Sequence, residues 1–193
     1  MKGRKVRTPL EEDIVKDLYV GERVLLSGII YTARDAAHRR MAEALKRGEN
    51  LPFDLRGQVI YYAGPAPAPP GAPIGSIGPT TSGRMDRYTP MLLEMGLKGM
   101  IGKGRRGPEV IAAVRTNGAV YFGATGGAAA LLAKRVKASR VIAYDDLGPE
   151  AIYELLVEDF PLLVVVDSEG NDLYEIGPGQ WSSSRGERIG EDR

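Results

Sequence analysis

The chain has 193 residues, 43% of them hydrophobic, with 26 basic and 25 acidic side chains, one histidine and no cysteine. A chain of this length buries about 70% of its unfolded surface, enough for one substantial domain. Its net charge near +1 excludes a general attraction to nucleic acid or to an acidic membrane. Without cysteine there is no disulfide framework, thiol nucleophile or thiolate-held zinc or iron–sulfur site from this chain, and the lone His38 excludes a multi-histidine metal site.

No apolar run reaches about 18 residues, and the start, Met1-Lys2-Gly3-Arg4-Lys5, is charged rather than signal-like. A soluble cytoplasmic protein is expected. Thr8-Pro9-Leu10-Glu11 reads as a helix start, with a hydroxyl cap, proline at the first helical position and a glutamate reaching back, and predicts a short helix to about Asp17. Arg23 to Ile30 is β-rich and reads as a buried strand. From Ala33 to Arg47, Ala37, Met41, Ala44 and Leu45 recur at helical spacing, and Gly48 ends the run.

Gln58 to Ala63 predicts another strand. The proline-rich Gly64 to Pro73 fits neither helix nor strand and reads as a packed loop. Thr89 to Met95 predicts a helix, Gly99 to Ile101 a strand, Pro108 to Val114 a helix and Ala119 to Gly123 a strand. Ala128 to Val136 reads as a helix, and Val141 to Tyr144, Ile152 to Val157, Leu162 to Val166 and Leu173 to Ile176 as strands, with a turn at Ser168 to Asn171. This alternation predicts an α/β fold spanning residues 1–177 as one domain, with 178–193 a flexible tail.

Chemistry concentrates in Gly78-Pro79-Thr80-Thr81-Ser82-Gly83-Arg84-Met85-Asp86. Glycine and proline fix an irregular backbone, three adjacent hydroxyls supply hydrogen-bonding groups, and Arg84 offers a planar fork suited to a carboxylate or phosphate. Arg34, at a predicted helix start, is either a surface arginine or a partner of free N–H groups in binding an anion. His38, one turn on, reads as a packing or hydrogen-bonding residue rather than a proton carrier. Gly102-Lys103-Gly104 frees a lysine to enter a site, although Arg105 and Arg106 make a solvated basic turn an equal alternative. Gly123 to Gly127 precedes a helix but lacks the spacing of either nucleotide fingerprint.

Ala33-Arg34-Asp35-Ala36-Ala37-His38, Tyr62-Ala63-Gly64-Pro65, Gly78 to Asp86, Lys98-Gly99-Met100-Ile101-Gly102-Lys103-Gly104 and Glu158-Asp159-Phe160-Pro161 occur in that order. Together, over about residues 20–176, they resemble the β subunit, or C-terminal domain, of the class I iron–sulfur hydro-lyases, fumarase and L-tartrate dehydratase. The resemblance implies a swivelling β/β/α three-layer domain paired with a separate α subunit. That partner would carry a 4Fe-4S cluster on its own cysteines, with one iron acting as Lewis acid on the substrate. The resemblance makes Arg34 and Arg84 substrate-binding arginines, Thr80 a substrate-binding hydroxyl, Lys103 the pocket lysine and Thr81 the proton acceptor. It gives His38 no catalytic role. The implied activity is reversible hydration of fumarate to L-malate by a two-subunit enzyme inactive as separate chains. L-tartrate dehydration and a non-catalytic module for anionic metabolites are the alternatives.

Overall fold

The computed structural model describes residues 3–124 and 126–177. It is a mixed α/β structure on one seven-stranded sheet in the order β1-β2-β3-β4-β5-β7-β6, with a further pairing of β2 to β7. The strands are β1 (Arg4–Arg7), β2 (Arg23–Thr32), β3 (Val59–Tyr61), β4 (Gly99–Gly102), β5 (Val120–Gly123), β6 (Val136–Ala143) and β7 (Ile152–Val166). β1 through β5 run parallel, each to the next. β7 runs antiparallel to β2, β5 and β6. Because β7 reaches both β5 and β2, strands β2, β3, β4, β5 and β7 form a closed circuit of pairing, which removes edges that would otherwise be free to aggregate.

Strand alternation divides the apolar residues between two cores. Val59, Tyr61, Ala63, Ile101, Phe122 and Phe160 face one. Ile60, Tyr62, Met100 and Tyr121 face the other, where they meet the helices of residues 35–46, 89–94 and 108–117. The helices are α1 (Glu12–Lys16), α2 (Asp35–Lys46), α3 (Thr89–Glu94), α4 (Pro108–Asn117) and α5 (Ala129–Ala133). The predicted stripe on α2 is the buried one, with Ala37, Met41 and Ala44 enclosed and Arg39 and Arg47 outside.

Four expectations are corrected. Thr8-Pro9 does not start α1. The Thr8 amide and hydroxyl instead donate to the Ser27 and Ile29 carbonyls, extending the β1 edge along β2, and the helix begins after Glu11. The segments 152–157 and 162–166 are one strand rather than two. β7 passes through Asp159 at φ 48, where the Asp159 amide donates to Ser27 Oγ opposite a register shift at Gly28. Gly28 itself sits at φ 114, a conformation a side chain would resist. Residues 173–177 are helical rather than extended, with the Asp172 carboxylate accepting from the Tyr174 amide. The predicted helix ending at Val136 stops at Ala133, and Val136 opens β6. The tail expected from Pro178 onward lies outside the described residues.

Candidate active site

The segments carrying Arg34, Thr80 to Arg84 and Lys103 meet just beyond the C-terminal ends of β2, β3 and β4, the end at which parallel α/β sheets place ligands, whereas Glu158 to Pro161 lies in β7 opposite Leu25 and Leu26. Five backbone links assemble the site segments. The Ala33 amide donates to the Tyr61 carbonyl at 3.1 Å, fixing the β2–α2 turn against β3. The Thr80 amide donates to the Tyr62 carbonyl at 2.6 Å, and Pro79 forms a bridge with Ala63. Thr81 pairs in parallel with Lys103, and the Ser82 amide donates to the Lys103 carbonyl at 2.9 Å. The turn after β2, the hydroxyl loop and the lysine after β4 are therefore held side by side although they lie dozens of residues apart in sequence.

The cationic part has a definite pattern. Arg84 stands in the short 3-10 turn Ser82–Met85 and grips Asp35 through Nε at 2.8 Å and Nη2 at 2.7 Å. Arg34 is the residue preceding α2. Its Nη2 lies 3.3 Å from Glu150, its Nε is buried without a hydrogen-bond partner, and the gap from that Nε to Asp35 is 4.0 Å. Its aliphatic stem passes over Gly64. The α2 N-terminus is not open to an incoming anion at every amide, because the Ala36 N–H already donates to Glu150 at 3.0 Å. Lys103 and Thr81 are exposed and Thr80 is partly so. Among the described residues Lys103 forms no ion pair, and neither threonine hydroxyl has a hydrogen-bond partner.

Ser82 departs from the expectation for the three adjacent hydroxyls. It is buried, 2.9 Å from the Tyr121 hydroxyl, which donates its own proton to the Gly104 carbonyl at 2.9 Å. Ser82 must therefore donate to Tyr121, and its role is to fasten the loop to β5. Burial pushes the Tyr121 phenol well above its ordinary range, so it remains protonated to serve this bond.

Sequence reasoning also missed Arg106. Its side chain is enclosed between the Tyr62 and Tyr121 rings, donating from Nε to Asp86 at 2.7 Å and from Nη2 to Thr89 at 2.8 Å. The second Asp86 oxygen accepts from the Gly107 amide at 2.6 Å. The last residue of the hydroxyl loop, Asp86, is thus a partly buried anchor on the buried Arg106. His38 is likewise structural in its contacts. Its Nδ1–H donates to the Arg34 carbonyl at 2.9 Å, and its ring packs edge-on to Tyr62. Burial lowers its pKa to about 4, so it is neutral near pH 7.

The profile of the family described as Fumarase C-terminus matches residues 3–177. The chain belongs to that family. It is 45% identical over 157 residues to fumarate hydratase 2 of Leishmania major, covering 80% of this chain and 28% of that protein. It is 44% identical over 158 residues to the anaerobic class I fumarate hydratase of Escherichia coli, covering 81% of this chain and 29% of that one. The chain thus spans under a third of these fumarate hydratases. A protein of Methanocaldococcus jannaschii provisionally named L(+)-tartrate dehydratase subunit beta is 46% identical over 167 residues, covering 83% of this chain and 86% of that protein.

The ligand chemistry of a cysteine-held cluster does not fit this chain. It has no thiolate to offer, and the described residues contain no group of three histidine, aspartate or glutamate side chains placed to hold a metal ion. No helix among the described residues is long and apolar enough to cross a membrane.

Proposed function

We propose that this chain is the β subunit of a two-subunit hydro-lyase that reversibly hydrates fumarate to L-malate. The observation that carries this reading is the convergence of Arg34, Thr80, Thr81, Arg84 and Lys103 on one end of the parallel strands, through the Thr81–Lys103 bridge and the Arg84–Asp35 pair. The module would be a swivelling β/β/α three-layer domain, a reading supported by a closed strand circuit with α2, α3 and α4 packed on one of its two cores. A partner α subunit would hold the 4Fe-4S cluster on its own cysteines.

Arg34 and Arg84 suit a dicarboxylate because each guanidinium presents paired donors in one plane. In the dehydration direction, loss of a proton from the carbon beside a carboxylate places negative charge on that carboxylate's oxygens. Cations aimed there stabilise the transition state more than the bound substrate and so raise turnover. Thr80 orients the substrate by a hydrogen bond from its free hydroxyl. Thr81 takes the proton. A threonine hydroxyl is a weak base at neutral pH and needs a neighbouring cation or relay, which Lys103, paired beside it, supplies.

Arg34, Arg84 and Lys103 bring three positive charges and Asp35 and Glu150 two negative ones, which leaves +1 against a substrate of charge −2. The partner is accordingly expected to contribute at least one further positive group to the same pocket. A second reading, L-tartrate dehydration, is favoured by the match in extent to the Methanocaldococcus jannaschii protein. The same clamp serves L-malate and L-tartrate, which differ by a hydroxyl that the partner's residues are able to read.

Arg84→Ala in the assembled enzyme tests the clamp. Its kcat/KM is expected to fall by at least about a hundredfold, as for loss of a charged contact in an enclosed site. Wild-type efficiency in that variant would remove Arg84 from the site.

A further inference from the structure

We infer that Asp35 is the positioning residue of this site: it holds the Arg84 fork side-on so that the end-on edge of the guanidinium meets the substrate carboxylate. The inference rests on the dicarboxylate reading above. A guanidinium has two edges able to bind a carboxylate with paired bonds, one formed by Nε and an Nη, the other by the two Nη atoms. Asp35 occupies the first, at 2.8 Å from Nε and 2.7 Å from Nη2. The end-on edge is left for a second carboxylate, and it is the edge farthest from the backbone that carries Arg84.

The carboxylate doing this is itself well fixed. Asp35 is the first residue of α2, where a negative charge is favoured by the helix dipole. The turn carrying it is pinned by the Ala33–Tyr61 hydrogen bond on one side and by Glu150 on the Ala36 amide on the other. Arg84, in contrast, rises from a short 3-10 turn with half its side chain exposed, and without a partner its long side chain would sample many rotamers. An exposed pair of this kind contributes little to folding, so its main consequence is orientation. Asp35 also lies within 4.0 Å of the unpartnered Arg34 Nε, too far for a hydrogen bond but close enough to moderate repulsion between the two clamp arginines.

Two measurements test this. In the full chain alone, the Arg84 Nε–H resonance at mildly acid pH should exchange slowly with water, and Asp35→Asn should abolish that protection. Protection unchanged in Asp35→Asn would overturn the placement whatever the enzyme's substrate. In the assembled enzyme, Asp35→Asn should raise KM for fumarate about tenfold or more while leaving the melting temperature and subunit assembly at wild-type values, with Asp35→Glu recovering part of the loss. A merely structural role would lower the amount of active enzyme and leave KM unmoved. On an Arg84→Ala background the same substitution should have almost no further effect on KM, since the two act as one unit. An unchanged KM, or one that falls because Asp35 only competes with substrate for Arg84, would overturn the inference. A wild-type pair that turns over no dicarboxylate would sink the functional reading instead, and the resonance measurement would still decide what Asp35 does to Arg84.

Discussion

Arg106 donates to Asp86 at 2.7 Å with its own side chain wholly enclosed, and this pair fastens the far end of the hydroxyl loop to the helical core. It works beneath the site, out of reach of substrate. Asp86 completes its hydrogen bonding through the Gly107 amide, so one carboxylate ties the loop to both the arginine and the start of α4.

Removing that carboxylate would leave a buried guanidinium without its counter-charge. Asp86→Ala is therefore expected to cost about 3–5 kcal/mol of stability. Chemical denaturation of the isolated chain measures this directly. A loss below about 1 kcal/mol would mean that water reaches Arg106.

Thr81→Val is nearly isosteric and removes only the hydroxyl. If Thr81 moves the proton, kcat in the assembled enzyme should fall far more than KM changes, because the lost interaction is made only in the transition state. Initial-rate kinetics separate the two constants, and a rise in KM with kcat intact would reassign Thr81 as a binding residue.

His38 gives a pH signature. Its pKa in the folded chain, about 4, lies below the ordinary value of roughly 6.5 expected when unfolded. Between those values the unfolded chain holds the extra proton, so stability rises with pH. The contribution is complete above about pH 6.5 and is lost as pH falls toward 4. Unfolding free energies of wild type and His38→Gln should converge on acidification across this window, with wild type steeper by up to about 1.4 kcal/mol per pH unit. Parallel profiles would show that His38 is protonated in the fold.

Gly64 lies where the chain leaves β3 beneath Arg34. A side-chain carbon there would come within 2.6 Å of the Pro149 carbonyl oxygen and 3.3 Å of the Arg34 guanidinium. Gly64→Ala should therefore displace the Glu150 segment and Arg34 together, weakening dicarboxylate turnover by about tenfold or more. Steady-state kinetics and a thermal melt on the same preparation show whether the effect is local to the site.

The elements with strong periodicity were legible in sequence: β2, the α2 stripe, α4 behind Gly107-Pro108, and β5. β1 was not, because Arg4-Lys5-Val6-Arg7 alternates around a single buried valine and reads as a charged segment. Thr8-Pro9 misled because its capping chemistry is used in pairing with β2, a partner that helix rules do not consider. The division of β7 at Asp159 and Pro161 was equally unreadable, since only contacts with β2 make the bend continuous. In the candidate site, Arg34, Arg84 and Lys103 drew notice by their settings. The carboxylate partners of the two arginines did not: Glu150 is distant in sequence from Arg34, and Asp35 at a helix start reads as ordinary dipole compensation. Ser82 and Arg106 were hidden for a related reason, as burial alone distinguishes them from their exposed neighbours.

The most direct test of the central claim is fumarate hydration measured anaerobically for this chain, for a cysteine-bearing α subunit, and for the two co-expressed and purified together, with L-tartrate dehydration assayed in parallel. Fumarate turnover by the pair and by neither chain alone is the predicted result. A stable pair with its cluster intact that hydrates no fumarate would contradict it, and tartrate turnover by that pair would move the same clamp to the other substrate.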